Sequence, residues 1–148
     1  MRARVDEGML PMKWLALAAA LLTAGCSTDI EPTQEQLKAM WEQQNVYPEH
    51  YKSDILLYMR TYLNDPRNIR GAEVSQPFRK KVGFGERFIT CVRYNSRNAD
   101  GKYIGVKEGV AVYTNGKLSS FIDVQREVAE LCKDVALAPF PELEKIQR

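Results

Sequence analysis

The sequence predicts an α+β domain in which N-terminal helices pack on a four-stranded antiparallel sheet and a short helix follows near the C-terminus. Three observations carry this. Tyr51, Ile55, Tyr58, Met59 and Tyr62 recur at i, i+4, i+7, i+8 and i+11, a helical stripe. Beyond Pro66 the period shortens to two, most clearly in Glu86–Asn95, where Phe88, Thr90, Val92 and Tyr94 alternate with Ile89, Cys91 and Arg93. Asn115-Gly116 then stands between two alternating runs, the pattern of a two-residue hairpin turn whose central positions both need φ > 0.

Each element has its own signals. Thr33-x-x-Gln36 has capping-box spacing, and Leu37, Met40 and Trp41 follow at i, i+3, i+4, so a short helix is expected over 33–44. Pro48 suits a first helical position, Glu49 lies near the positive end of the dipole, and Asn64-Asp65-Pro66 forbids continuation, so the main helix is expected over 48–64. Its tyrosines are expected to pack their rings on the sheet and send their hydroxyls to its wet edge. The first strand is expected over 69–78, with Pro77 at its end. Arg79-Lys80-Lys81 and Gly83-Phe84-Gly85 then form a basic, glycine-punctuated connection to the 86–95 strand. In the Asn-Gly hairpin, Thr114 pairs with Lys117, Val112 with Ser119 and Val110 with Phe121, while Tyr113 meets Leu118 on the other face. Both faces are half apolar, and the pattern does not say which is core. Val124, Val128, Leu131 and Cys132 fall at helical spacing behind Asp123 as the expected cap. The tail 138–144 begins extended and ends in a helical turn, and Phe140 between two prolines is read as a plug on the domain surface, with a docking peptide for another protein as the alternative.

Ahead of all this, Lys13 precedes nine apolar residues, Trp14–Leu22, far short of the ~20 that cross a hydrocarbon core. Thr23-Ala24-Gly25-Cys26 closes the run. This segment resembles the signal peptide and lipobox of bacterial lipoproteins, with Thr23 where leucine is commonest. The resemblance implies removal of residues 1–25, acylation of Cys26, and a mature chain held to a membrane by its own N-terminus. Ser27 in place of aspartate implies, by the sorting pattern of enteric-type lipoproteins, an outer-membrane protein facing the periplasm. Asp6 and Glu7 are foreign to a basic leader, and Met12-Lys13 is a cleaner start, so 1–11 is a candidate extension outside the translated protein. The expected organisation is therefore 1–25 signal peptide, 26–47 lipidated tether with a short helix, and 48–148 a single α+β domain.

With Cys26 committed to lipid, Cys91 and Cys132 remain, and in an oxidising compartment they are expected to form a disulfide. The full chain carries 21 Lys+Arg and 19 Asp+Glu, a net charge of +2. No domain-wide positive field exists, so nucleic acid is not an expected partner.

Chemistry-bearing constellations are sparse. His50 is the single histidine, without a nucleophile elbow, and is read as solvated. His50 and two bridged cysteines make no standard zinc set, so no metal is expected. Gly83-x-Gly85 lacks the third glycine and the Lys-Ser/Thr ending of phosphate loops. A calcium loop with Gly101 at its sixth position would put Lys107 where a bidentate carboxylate is required. Arg87, Arg93 and Arg97 line the strongest strand and its exit, a candidate anion site whose plainer reading is a wet sheet face.

The expectation is thus a membrane-anchored envelope lipoprotein acting as a small non-catalytic binding or accessory module, with no cofactor. Its layout is similar to small periplasmic modules such as outer-membrane-assembly accessory lipoproteins and proteinaceous enzyme inhibitors. The alternative is a small periplasmic hydrolase or inhibitor. Candidate partner-facing residues are Trp41, Arg79, Lys80, Lys81 and Phe140, with an envelope protein or polymer as the partner beside the membrane itself. For Trp41, a bilayer-interface anchor and plain packing on the domain are both weighed, and packing is preferred.

Overall fold

The computed structural model describes residues 31–147. The export segment, Cys26 and the first tether residues lie outside the described residues. Residues from Pro32 onward form one compact unit, which therefore begins ahead of the boundary expected at Pro48.

Two helices lead the unit: α1 (Gln34–Gln43) and α2 (Tyr51–Tyr62). Thr33 and Gln36 close the capping box of α1 reciprocally, the Thr33 amide donating to Gln36 Oε1 (2.9 Å) and the Gln36 amide to Thr33 Oγ1 (3.3 Å). Helix α2 starts later than its proline suggests. His50, exposed, takes the N-cap position, and Pro48 is buried just outside the helix.

The sheet is antiparallel and has six strands, not four: β1 (Asp65–Val74), β2 (Phe78–Val82), β3 (Gly85–Arg97), β4 (Lys107–Thr114), β5 (Lys117–Ile122) and β6 (Ala138–Pro139). The order is β5-β4-β3-β1-β6, with β2 also paired to β3. The 13 residues of β3 are long enough for β1 and β2 to share one side of it: β1 pairs with 92–97 and β2 with 85–89. Where Pro77 breaks the line, Ser75 fills the gap. Its amide donates to the Cys91 carbonyl and its hydroxyl accepts from the Cys91 amide, both at 2.9 Å, so no buried backbone group is orphaned. Strand β2 contains the three cations Arg79-Lys80-Lys81, which carry no alternation of hydropathy, and so it was expected as a connection. Strand β6 is two residues before Phe140 and adds to β1 at the far edge.

The hairpin register is corrected by one residue. Thr114–Lys117 and Tyr113–Leu118 pair as expected, but Val112 then pairs with Ser120, Ala111 with Phe121 and Val110 with Ile122. Ser119 is bulged out, its hydroxyl donating to the Val112 carbonyl at 3.1 Å. The reason lies in the side chains. Leu118 and Phe121 are an odd number apart and would face opposite sides of a regular strand; the bulge puts both on the side of α2.

Both sheet faces are core, which resolves the half-apolar pattern. One carries Val74, Val92, Tyr94, Ala111 and Tyr113, packed against Ile55 and Met59 of α2 and Leu143 of α4 (Pro141–Glu144). The other carries Ile89, Cys91, Val110 and Val112 under Val128 and Leu131 of α3 (Gln125–Leu131). Helix α2 thus shares one face with the C-terminal turn rather than covering the sheet alone. Asp123 does not cap α3; Val124 is the N-cap, and Asp123 accepts instead from the Tyr62 hydroxyl at 2.6 Å. Cys91 and Cys132 are bridged, Cα to Cα 5.9 Å, fastening the end of α3 to the middle of β3. No helix among the described residues is long and apolar enough to cross a membrane.

Candidate binding groove

Helix α1 presents Gln34, Leu37, Lys38, Trp41 and Glu42 along one stripe, at i, i+3, i+4, i+7 and i+8, and none of its residues is fully buried. Such a helix has little intrinsic stability in isolation and depends on what its C-terminal end touches. That end is anchored on the β2–β3 hairpin. The Arg87 guanidinium lies 4.1 Å from the Trp41 ring centroid, donates through Nη1 to the Trp41 carbonyl (3.1 Å) and through Nη2 to Gln44 Oε1 (3.2 Å). A cation against the last carbonyls of a helix and over an indole face is favourable on both counts. Arg87 is only 9% exposed, so this cation is structural. Gly85 completes the seat, because a Cβ there would run into the Trp41 ring. Asn45 Nδ2 donates to the Glu86 carbonyl (2.9 Å), and the Asn115 amide donates to the Gln44 carbonyl (2.8 Å).

Between the helix stripe and the hairpin runs an open groove of about 960 Å³, the largest concavity described. Its strand side is Arg79, Lys81, Phe84, Gly85 and Glu86. Arg79 Nη2 holds Glu42 at 2.8 Å and Glu86 at 2.9 Å, a three-way ion pair that clamps helix to hairpin. All three side chains are well exposed, so the net worth of the pairs is small, about 0–1 kcal/mol each. Among the described residues, Lys38 and Lys81 form no ion pair. At the tip, Gly83 takes φ +63°, which a side chain would resist, and Phe84 beside it is 97% exposed. A turn tip is where polar residues are expected, so a bare phenyl ring there has no folding rationale.

Of the residues singled out from sequence, Trp41, Arg79 and Lys81 come together in this groove. Lys80 does not. It alternates to the other side of β2, half-buried, opposite Arg87 in register. Phe140 is corrected outright: it is 0% exposed, a core residue of the α2 face, and offers nothing to a partner. Its flanking prolines fix an extended entry that lets the ring turn inward. Leu37, Lys38, Glu42 and Phe84 were missed as lining residues. The Gly-Phe-Gly tip was the available signal, a large apolar residue in a turn.

The three arginines of β3 do not form one anion site. Arg87 serves Trp41; Arg93 pairs with Glu73 (2.9 Å) and Glu108 (2.8 Å); Arg97 pairs with Asp65 (2.7 Å). Among the described residues no three of His, Cys, Asp and Glu stand close enough to hold a metal ion.

A second, smaller concavity of about 400 Å³ lies where α2 meets the sheet, lined by Tyr62, Tyr94, Arg97, Lys107 and Asp123 among others. Tyr58, Tyr62 and Phe121 stack beside it with centroids 5.2–5.3 Å apart. Burial above all pushes the Tyr94 hydroxyl up to about 12. Tyr62 is raised as well, by burial and by its bond to the Asp123 carboxylate. A raised tyrosine stabilises the fold fully below its unfolded value near ~10, and that contribution is lost as pH climbs toward the folded value. Stability is therefore expected to fall between about pH 10 and pH 12, as the unfolded chain sheds protons the native one retains. The difference in phenolate absorbance between the native protein and its Tyr94→Phe variant should develop only as pH approaches about 12; a difference complete near pH ~10 would contradict it.

No protein-family model, no curated protein and no solved structure matches this chain.

Proposed function

We propose that this chain is a lipid-anchored module of the bacterial cell envelope, tethered through Cys26 to the periplasmic face of the outer membrane, whose α1–hairpin groove binds a partner non-covalently. The groove is the observation that carries the binding role. It pairs an apolar lining of Leu37, Trp41 and Phe84 with cationic Lys38 and Lys81, and its walls are held together by Arg79 and Arg87. The Cys91–Cys132 bridge supports an exported protein, because such bonds persist in oxidising compartments. The lipobox-like Thr23-Ala24-Gly25-Cys26 supplies the anchor.

The intact mass of the protein recovered from a membrane fraction tests the anchor. A chain beginning at a triacylated Cys26, gaining one hydrogen per bridged sulfur on reduction, is the expected result. A soluble chain without acyl groups would remove the tether and leave a secreted α+β domain.

A further inference from the structure

We infer that the α1–hairpin face rests on the bilayer itself, with Phe84 inserted at the headgroup level and Lys38 and Lys81 against anionic lipid phosphates. The inference depends on the Cys26 anchor proposed above. Three features of the molecule converge on it.

The first is reach. Seven residues, 27–33, stand between Cys26 and the start of α1, spanning at most about 28 Å. A unit of this size is about 35 Å across. A tether shorter than the body it holds keeps the side bearing the start of α1 toward the membrane, and the groove runs along that helix.

The second is charge. Arg79 pairs with both Glu42 and Glu86, one guanidinium against two carboxylates, so with Lys38 and Lys81 the groove lining carries three cations to two anions. That leaves Lys38 and Lys81 as the cations free to meet a lipid phosphate, and their long stems suit a headgroup region.

The third is Phe84. It is 97% exposed at the tip of a two-residue turn, projecting beyond the ladder that Val82 and Gly85 close. An aromatic ring at a protruding glycine-flanked tip, with Lys81 one ladder step behind it on the first strand, suits an interfacial insertion. Trp41 stands behind it in the groove, held by Arg87 and Gly85 rather than free to insert.

Lipidated mature protein is reconstituted into phosphatidylcholine–phosphatidylglycerol vesicles carrying doxyl-labelled acyl chains, and Phe84→Trp places an indole at the tip. Phe84 contacts solvent almost everywhere, so this variant should fold as the parent does, which far-ultraviolet circular dichroism checks. Trp41 is the other indole of a chain beginning at Cys26, so the parent's emission is subtracted, and the expected difference signal is blue-shifted, quenched by the doxyl lipid and shielded from aqueous iodide. Adding Lys38→Gln and Lys81→Gln should shift the docked–free equilibrium roughly 30-fold toward free, about fivefold per lysine near an anionic surface. Vesicles of phosphatidylcholine alone should weaken docking likewise.

Flotation with the vesicles reads the anchor, and the indole reads the face. Flotation with a red-shifted, iodide-quenched indole overturns the docking while leaving the anchor standing. An indole that stays wet on pure lipid but is covered by a protein cross-linked through Lys81 hands the groove to a protein and overturns it equally. Failure to float removes anchor and docking together.

Discussion

Replacing both bridged cysteines with alanine, Cys91→Ala with Cys132→Ala, is expected to remove about 4 kcal/mol of stability, the chain-entropy value for a loop of 41 residues. Against a typical total of roughly 5–15 kcal/mol this is a large share. The location makes the effect structural as well as entropic. Cys91 is 3% exposed in the middle of β3, and Cys132 closes the C-terminal end of α3. Without the bridge, that seven-residue helix is held to its face of the sheet mainly by Val128 and Leu131. Helices this short do not persist alone in water. Urea unfolding of the double variant should show a lower midpoint, and loss of α3 ahead of the rest should appear as early exchange of the backbone amides at positions 128 and 132. A change below about 1 kcal/mol would mean that packing alone holds α3.

The same helix shows which parts of the fold were legible in the sequence. Its existence and its cysteine partner followed from periodicity and from pairing the two cysteines left after Cys26, while its cap did not, because Asp123 is taken by Tyr62, a residue 61 positions away. Local signals survived wherever the competing interactions were also local: the Thr33–Gln36 box, the Asn115-Gly116 turn and the alternation of β3. Long-range demands overrode the rest. The Ser119 bulge exists because α2 needs Leu118 and Phe121 on one side, and nothing within the hairpin announces that. Strand β2 is a strand because β3 has an open flank, although three cations in a row carry no period. In the candidate groove, Arg79 and Lys81 were separable from Lys80 by the alternation of a strand, had β2 been recognised as one. Arg87 was grouped with Arg93 and Arg97 on sequence position. Only the packing of α1 shows that it serves an indole and a helix end rather than a solvated face.

Phe140→Ala is expected to cost about 3–5 kcal/mol, the range for deleting a fully buried phenyl ring, and to lower the melting midpoint by roughly 10–20 °C. A docking peptide on the surface would behave oppositely, since truncating an exposed side chain seldom changes stability by more than about 0.5 kcal/mol. The structure explains why this tail is core. The Phe140 amide donates to the Ala72 carbonyl at 2.7 Å, and the Ala72 amide donates to Glu144 Oε1 at 3.0 Å. One residue of β1 is thus satisfied on both its backbone groups by the tail, first by a strand contact and then by a carboxylate standing in for a strand. Phe140, Leu143 and Ile146 then enter the same cluster as Ile55 and Met59. Losing the ring should therefore loosen β6 and α4 together, and the Phe140 amide should exchange far sooner in the variant than in the parent. Phe140→Leu, which keeps most of the apolar volume, should recover much of the loss. Melting midpoints of the parent and both variants decide between the two readings: an alanine variant as stable as the parent would return Phe140 to the surface.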